Sequence, residues 1–495
     1  MLNSKYLLVN STNEFLEEYT DLEENARYKL TNFSGSTGDA LVTPDNEIYL
    51  FVDGRYHTQA DLEVDKSKVT VIKLKVGDTF LSKFFEHIKE NSTLCIVSKK
   101  VSMAGLENIE KFAKVKNIKI ELLEKDPILE YTKDLTTSVE TDVNYGLTTE
   151  EKIRLVTINL KNNEAIFTAN QEEISYILNK RDFSKNYSSS VKRKKIFITQ
   201  QGISSNISSG QIYADKKTTS AYDFIRLNAK ALKTNPIKEL KAIKTKDEIE
   251  HLKECFKKAD KALLETRNFI ENNNNISEFD IAKELEKNFY KNGAKSLSFK
   301  SIIAKDKNSA QAHYSKCSKD EILQDGSLVL IDCGAYFDGG LATDATRVFV
   351  KGSPSKLQKE VYTKVLKAFL NAISTKDVTT GFELDKIARN ILDETKPKGF
   401  EFSHSLGHGI GISVHENPPS LSPSELGKIT IQPFMCFTIE PGLYNEQHFG
   451  IRLENSCYLD DNYKIISFSN MIFEEKLIDY TLLTPEEKEV LKQWI

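Results

Sequence analysis

The sequence predicts two smaller α/β domains followed by a larger α+β domain. Three observations lead to this architecture. The chain has 495 residues, which is too long for one ordinary hydrophobic core. Residues 1–236 alternate between short strand-like and helix-like runs. Residues 237–495 follow the order helix, helix, strands twice, which hints at an internal duplication.

We place the domains at residues 1–122, 123–236 and 237–495. The second boundary lies at Asn235-Pro236, because the residue before a proline is driven out of helical geometry. In the second domain, the fragments 153–160, 172–178 and 195–199 each fit a strand or a helix. In the first domain, runs of β-branched and aromatic residues predict strands at 40–42, 48–52, 69–74 and 94–97, and amphipathic spacing predicts a helix at 80–90.

Four helices are predicted in the third domain. The first follows Thr245, because Thr245 and Glu248 form a capping-box pattern in which each side chain can satisfy a backbone N–H group. The second begins after Ser277. Apolar residues at helical spacing indicate the other two around 357–369 and 384–391.

A hairpin follows the first helix pair. The buried-strand run 328–331 ends on Asp332, and a second run, 341–350, carries Asp344 near its start. A short Gly-rich turn between them predicts antiparallel pairing that brings the two carboxylates together. Adjacent carboxylates in an apolar setting are costly unless a cation lies between them. A surface hairpin with two solvated aspartates is the alternative, and it would be preferred for this pair alone.

Three histidines, His404, His408 and His415, stand within twelve positions among several glycines. The glycines argue against a helix and therefore against the helical His-x-x-x-His zinc motif. A lone histidine is more often a satisfied core residue, but this concentration favours a site.

Two further acids lie at strand ends. Glu440 follows the apolar run 434–439, and Glu454 shares one face of a later strand with Arg452. Glu454 beside Arg452 would, if considered alone, indicate only an ion pair.

Taken together, the candidates are four carboxylates and one imidazole, without a thiolate. This donor set suits a pair of divalent cations, manganese or cobalt rather than a structural zinc. Four negative charges balance two dications, and a hydroxide bridging them would be the nucleophile. The site is therefore predicted to be hydrolytic, with the donors Asp332, Asp344, His408, Glu440 and Glu454.

Composition excludes several other classes of protein. A formal net charge of −4 gives no indication of nucleic-acid or acidic-membrane binding. No apolar run approaches the length that spans a bilayer, and the patch 6–9 is too short for the core of a signal peptide. The six cysteines are scattered without a Cys-x-x-Cys pair, which is typical of reduced thiols in a cytoplasmic protein.

Four segments and the upstream His313 carry a family resemblance: IDCGAYFDGGLATDATR, HSLGHGIGISVHE, IEPGLY and GIRLEN. They resemble the creatinase/aminopeptidase family with the pita-bread fold. Among its members, the chain is most similar to the Xaa-Pro aminopeptidases (aminopeptidase P). NFSGSTGDALVT and FVDGRYHTQA resemble their first domain, and EEISYILNKRD resembles their second domain, which is shortened in this chain. The resemblance implies a pita-bread catalytic domain preceded by two creatinase-N-like α/β domains.

The resemblance also implies roles for single residues. Two divalent ions, Mn²⁺ with Co²⁺ and Zn²⁺ as alternatives, would be bound by the five donors, with Asp344 and Glu454 bridging them. Glu440 would also carry a proton to the leaving nitrogen, and His415 would hydrogen-bond the substrate carbonyl. His313 and His404 would line the pocket for the proline ring, and Arg452 would orient a carboxylate that binds metal. Arg55 would reach toward the far end of the substrate.

The implied substrates are peptides with proline at the second position, and the implied assembly is a homodimer. The scissile bond is then a tertiary amide without an N–H group, which a site shaped for the proline ring accommodates.

Two spacings depart from the family pattern. Asp332 and Asp344 are twelve positions apart where eleven are expected, which predicts one extra residue in the Gly339-Gly340 turn. His408 and His415 are seven apart, as in the shorter bacterial enzymes.

Three alternatives stay open. A prolidase would use the same ligands on Xaa-Pro dipeptides. A methionine aminopeptidase shares the fold but normally lacks such N-terminal domains. A non-catalytic pita-bread module that binds peptides or proteins would usually have lost ligands, and metal content distinguishes it from the enzymes.

Overall fold

The computed structural model describes residues 4–75, 78–129, 138–207 and 210–495, and every structural statement refers to these ranges. The chain divides into two compact units. The first unit contains residues 1–137, 149–177 and 192–237. The second unit contains residues 138–148, 178–191 and 238–495. The division into three domains stays a prediction.

The described residues form both long and short helices. In chain order the α-helices are α1 (Ala26–Thr31), α2 (His57–Glu63), α3 (Phe80–Glu86), α4 (Met103–Val115), α5 (Thr149–Val156), α6 (Gln171–Leu178), α7 (Ala221–Arg226), α8 (Pro236–Ala242), α9 (Lys246–Asn272), α10 (Glu278–Lys291), α11 (Lys356–Ile373), α12 (Gly381–Thr395) and α13 (Pro485–Leu491).

Most strands are short. In chain order they are β1 (Tyr6–Val9), β2 (Asp39–Val42), β3 (Ile48–Val52), β4 (Val69–Lys73), β5 (Thr93–Val97), β6 (Lys119–Leu123), β7 (Glu140–Asp142), β8 (Glu164–Thr168), β9 (Lys180–Asp182), β10 (Ile196–Thr199), β11 (Gly202–Ser204), β12 (Gln211–Ala214), β13 (Lys230–Ala231), β14 (Ser296–Leu297), β15 (Ile302–Lys305), β16 (Leu328–Cys333), β17 (Ala335–Tyr336), β18 (Ala345–Val350), β19 (Gly407–His408), β20 (Ser420–Leu421), β21 (Cys436–Ile439), β22 (Gly442–Tyr444), β23 (Gly450–Arg452), β24 (Glu454–Leu459) and β25 (Ile465–Ser467).

The first unit contains two sheets. One has six strands in the order β4-β3-β2-β1-β5-β6, and the other has five in the order β11-β10-β8-β12-β13. Apolar residues such as Leu41, Phe51 and Phe84 form a buried cluster with the six-stranded sheet. The α/β character predicted for this part of the chain is therefore confirmed. Of the three fragments that fit a strand or a helix, 153–160 lies partly in helix α5, 172–178 lies in helix α6, and 195–199 lies largely in strand β10.

The second unit is built on a sheet in the order β15-β16-β18-β24-β21, with β25 paired to β24. Every residue of β18 and of β24 is buried, because helices and loops cover both faces. Helices α9 and α10 begin with capping boxes at Thr245 and Ser277, so both predicted N-termini are confirmed. The α+β class predicted for this region is also confirmed.

The predicted hairpin forms, because β16 and β18 pair antiparallel along six residues. Its second strand begins at Ala345 rather than at Leu341. The reason is that the backbone N–H groups of Ala342 and Thr343 donate to carbonyls of Gly411 and Ala335, outside the β16–β18 ladder.

Two predictions from composition can be compared with the structure. All six cysteines are free thiols, as the scattered spacing predicts. Among the described helices, none combines the length and the apolar character needed to cross a bilayer.

Candidate metal centre

The sheet of the second unit places acidic residues side by side through its register. Asp332 of β16 lies opposite Thr346 of β18, and Thr346 lies opposite Glu454 of β24. Asp344 precedes Thr346 by two residues and therefore belongs to the same face. Three neighbouring strands thus direct three carboxylates to one place.

A fourth carboxylate and an imidazole, from β21 and β19, lie next to this row of three carboxylates. Strand β21 ends with Ile439 opposite Asn455, and the chain continues into Glu440. Because the two strands are antiparallel, Glu440 follows beside Glu454. His408 lies in β19, whose neighbour Gly409 bridges to β21. A Cβ atom at Gly407 would meet the backbone oxygen of Thr438 at 2.0 Å, which explains a glycine beside His408.

The ligand atoms converge closely. The Nε2 atom of His408 lies 3.6 Å from an oxygen of Asp344 and 3.6 Å from an oxygen of Glu440. One ligand atom from each of Asp344, His408 and Glu454 lies within 4.8 Å of the others. The Nδ1 atom of His408 is 3.0 Å from the carbonyl of Gly409, to which only an N–H group can donate. This tautomer leaves the lone pair on Nε2, which faces the carboxylates.

The electrostatic cost of this cluster is high. Burial raises the pKa values of Asp344 and Glu440 well above their usual range, and the repulsion from Glu454 adds to the effect. Burial and the charge of Asp332 likewise raise the pKa of Glu454 to about 8. Positive charge must therefore be supplied for Asp344, Glu440 and Glu454 to be ionised together at neutral pH.

The residues fit a pair of divalent cations. The Oδ1 atoms of Asp332 and Asp344 are buried and have no hydrogen-bond partner among the described residues. Buried carboxylate oxygens of this kind are costly unless they bind a donor or a cation. Four carboxylates and one imidazole are the hard donor set that ions such as Mn²⁺ prefer.

Arg452 connects the acidic cluster to a second histidine. Its guanidinium donates to Asp332 at 2.6 Å and to the hydroxyl of Tyr444 at 2.8 Å. Because arginine can only donate, the Tyr444 oxygen accepts from it, and the Tyr444 O–H donates to Nε2 of His404 at 2.7 Å. The arginine therefore orients one carboxylate and, through Tyr444, the imidazole of His404.

The other predicted histidines differ in how closely they approach this cluster. The ring of His415 packs edge-on against His408, with centroids 4.5 Å apart. His313 lies in the segment between β15 and β16, and Ser309 of that segment exchanges two hydrogen bonds with Gly450 in β23. Arg452 is two residues further along the same strand.

Arg55 belongs to the first unit. Its guanidinium is bound by the carboxylate of Asp53 at 2.8 Å and by the hydroxyl of Thr37 at 3.3 Å. Its role in substrate binding stays a prediction.

Sequence reasoning missed several supporting residues. Thr346 donates to Glu454 at 2.7 Å, and its position two residues after Asp344 on one strand face was the signal that could have found it. Thr438, two residues before Glu440, carries the same signal and accepts from the backbone N–H of His408 at 3.1 Å. Tyr444 gave no such local signal.

A buried ion cluster supports the loop that carries His408 and His415. The carboxylate of Glu416 accepts hydrogen bonds from Lys241 and Lys244, both at 2.8 Å, and from the backbone N–H of Ile412 at 2.9 Å. A Cβ atom at Gly411 would lie 2.1 Å from this carboxylate. The close approach explains why the loop is rich in glycine.

Two family models match the chain. The model of metallopeptidase family M24 matches residues 250–461, which include all five candidate metal ligands. The model of the creatinase/prolidase N-terminal domain matches residues 5–125. The two matches fall in different parts of the chain and together cover most of it.

Known proteins agree with these models. The Xaa-Pro aminopeptidase 1 of Dictyostelium discoideum is 27% identical over 97% of this chain and 87% of its own length. The Xaa-Pro dipeptidase of Pyrococcus horikoshii is 35% identical over 54% of this chain and 72% of its own length. The X-prolyl aminopeptidase of Caenorhabditis elegans, described as a cytosolic enzyme with a di-nuclear active site, shares the fold with a TM-score of 0.86 at 22% identity, over 99% of this chain and 91% of that one. The chain therefore belongs to metallopeptidase family M24 and is a metal-dependent hydrolase.

Proposed function

We propose that the chain is a dinuclear-metal aminopeptidase that hydrolyses the N-terminal Xaa-Pro bond of peptides. The observation that carries this proposal is the row of buried carboxylates beside His408. Two divalent cations bound there would lower the pKa of a shared water and polarise the scissile carbonyl. Mn²⁺ is the proposed metal, because carboxylate oxygens predominate among the donors.

The site residues have complementary proposed roles. Hydrolysis breaks the C–N bond, and the proline nitrogen, which has no hydrogen of its own, must receive a proton. Glu440 lies at the edge of the row and carries that proton from the attacking water. His415 stabilises the negative charge that develops on the substrate oxygen. His404, oriented by Tyr444, lines the pocket for the proline ring together with His313.

The comparison with relatives favours an aminopeptidase over a prolidase. The Dictyostelium aminopeptidase matches nearly the whole chain, whereas the Pyrococcus dipeptidase matches about half of it. The dipeptidase is, however, the more identical of the two within the matched region. A prolidase that acts on Xaa-Pro dipeptides is therefore the second candidate.

The test measures release of the N-terminal residue from Arg-Pro-Pro, Arg-Ala-Pro and Arg-Pro. The purified protein is stripped of metal and then supplied with Mn²⁺. We expect cleavage of Arg-Pro-Pro alone, with two ions bound per chain. An Asp344→Asn variant should lose this cleavage together with bound metal, because Asp344 lies at the centre of the ligand set.

The other outcomes are equally informative. Cleavage of the dipeptide alone would assign the chain to the prolidases. A folded wild-type protein that binds no metal and cleaves none of the three peptides would indicate a peptide-binding module instead.

We further propose that the enzyme is a cytoplasmic homodimer. The six free cysteines suit a reducing compartment, and the Caenorhabditis protein is described as cytosolic. The dimer rests on the family resemblance, and light scattering on the purified protein would test it.

A further inference from the structure

The segment between β15 and β16, residues 306–327, carries His313 and contains neither an α-helix nor a strand. Its regular backbone hydrogen bonds are confined to a 3-10 helix over Asp306–Ala310 and a bridge between Ile322 and Ser277, which leaves the residues around His313 without such support. Its shape must therefore come from contacts with neighbouring elements. Glu278, the first residue of α10, provides a set of such contacts.

The carboxylate of Glu278 accepts four hydrogen bonds from this segment and from the strand residue that precedes it. One oxygen accepts from the backbone N–H of Lys305 at 2.6 Å and from the side chain of Asn308 at 2.9 Å. The other accepts from the hydroxyl of Tyr314 at 2.8 Å and from the backbone N–H of Ser318 at 3.0 Å. The donors lie on both sides of His313, next to Tyr314.

The position of Glu278 makes these bonds strong. Its side chain is fully buried, and none of the ion pairs found among the described residues involves it. The charge is therefore balanced by oriented donors and by the positive end of helix α10. Hydrogen bonds to a buried carboxylate are stronger than bonds between neutral groups, and leaving one unmade is costly.

The same segment lies against the strand that carries Arg452. Ser309 both donates to the carbonyl of Gly450 at 2.9 Å and accepts from its N–H at 2.8 Å. A Cβ atom at Gly450 would meet the backbone oxygen of Ser309 at 2.1 Å, which shows how closely the two backbones approach. A shift of the segment would therefore be transmitted to β23, the strand that carries Arg452.

We propose that Glu278 is a positioning residue: by binding the segment on both sides of His313, it holds that imidazole in place for substrate. This inference rests on the proposed function, in which His313 lines the proline pocket. Glu278 itself lies at the N-terminus of α10 and takes no part in the chemistry. Its replacement should weaken substrate binding and leave the metal ligands unaffected.

The test compares Glu278→Gln with Asp280→Asn. Both changes replace a carboxylate by its amide in the first turn of α10, but Asp280 caps Ser277 and makes no hydrogen bond to the 306–327 segment. Lys305 and Ser318 bond to different oxygens of Glu278, and glutamine keeps only one acceptor oxygen. Hydrogen exchange followed by mass spectrometry should therefore show about tenfold faster exchange at Lys305 or at Ser318 in Glu278→Gln. Asp280→Asn should exchange there like the wild type.

Steady-state kinetics provide an independent test. In Glu278→Gln, KM for Arg-Pro-Pro should rise roughly 10-fold with a smaller change in kcat and with two ions still bound. The same change in a His313→Ala background should have almost no further effect, because residues that act through one another are not additive. A full effect in that background would overturn the proposal.

The exchange measurement does not depend on the proposed function. If the wild type cleaves none of the peptides, unchanged exchange in Glu278→Gln still refutes the positioning role, and faster exchange still supports it. If Glu278→Gln fails to fold, Tyr314→Phe removes one donor without burying a new polar group. That variant should show a smaller rise in KM and faster exchange at Ser318, and wild-type values of both would refute the proposal.

Discussion

Arg452 is buried where three acceptors meet. Its donors reach Asp332, Tyr444 and, at 3.3 Å, the hydroxyl of Thr346. A lysine at this position would supply one compact ammonium group that cannot span the same acceptors. We expect Arg452→Lys to fold and to lower kcat/KM for Arg-Pro-Pro by roughly 10- to 100-fold, as is typical for residues that orient metal ligands.

Steady-state kinetics and metal analysis would measure this effect. Arg267→Lys is the matched control, because Arg267 pairs with Glu474 away from the candidate ligands. Equal kcat/KM values for Arg452→Lys and the control would show that the guanidinium geometry is unimportant.

Thr346 lies beside the candidate ligands and contacts one of them, Glu454. Its hydroxyl donates to one oxygen of Glu454 and so fixes which oxygen faces the cluster. Thr346→Val keeps the shape of the side chain and removes that donor. We expect the affinity for Mn²⁺ to fall roughly 10- to 100-fold.

A competition titration with a fluorescent chelator would measure the Mn²⁺ affinity. Thr363→Val is a suitable control, since Thr363 is also buried but bonds to the backbone of Leu477 in another part of the unit. An unchanged affinity in Thr346→Val would argue that Glu454 needs no orienting partner.

At the scale of an element, the loop from β19 to β20 depends on the Glu416 ion cluster. Burial alone would raise the pKa of Glu416, but the charges and hydrogen bonds of Lys241 and Lys244 outweigh it and lower the pKa to about 2. An unfolded glutamate has a pKa of about 4.3. The resulting stability is therefore present above about pH 5 and is lost as pH falls toward 2, and it amounts to about 3 kcal/mol.

Urea unfolding of wild type and Glu416→Gln at several pH values would check this. At pH 7 the variant should be less stable by about 3–5 kcal/mol, because two buried lysines lose their partner. The difference between the two proteins should narrow between pH 5 and pH 2.5. A difference that stays constant over this range would contradict the assignment.

The elements that sequence reasoning found are those with local signals. The cap at Thr245 and the hairpin after Asp332 depend on residues close together in the chain, and both were predicted correctly. The partners of Glu278 lie 27 to 40 residues away, and the lysine partners of Glu416 lie 172 and 175 residues away. Such pairs produce no periodicity or spacing in the sequence, and both glutamates were therefore missed.

The arrangement of the whole second unit is also set by distant contacts. Strand β24 inserts between β18 and β21, and pairs Asn455 with Ala345, a neighbour that no local pattern could predict. The five candidate metal ligands nevertheless carried local signals, because the acids lie at strand ends and the histidine lies among glycines, and the family resemblance implies the same five residues. Their role as metal ligands stays a prediction. The positions of Arg55 and His313 relative to a substrate did not follow from either source.

Trp494 is an anchor for the core of this unit. It is buried against Phe369 and Phe473, and its indole N–H donates to the carbonyl of Ser469 at 3.0 Å. Trp494→Ala should leave a cavity and remove one of the two side-chain hydrogen bonds to the Ser469 carbonyl, at a cost of about 3–5 kcal/mol. We expect a lower melting temperature with unchanged kcat/KM at low temperature.

Calorimetry and kinetics on the same preparation would separate these effects. Tyr463→Ala is the control, because Tyr463 is an exposed aromatic residue in a turn of the same unit. An equal fall in melting temperature for both variants would show that Trp494 is not an anchor of the core.

The row formed by Asp332, Thr346 and Glu454 has a consequence for how such a protein can diversify. Because side chains alternate along a strand, a slip of one residue in the ladder would turn these carboxylates to the opposite face. Residues 334–343 lie outside that ladder, and one more or one fewer of them leaves the pairing of β16 with β18 intact. The hydrolytic chemistry can thus be inherited unchanged while the surrounding loops vary, and new peptide preferences can arise without rebuilding the metal centre.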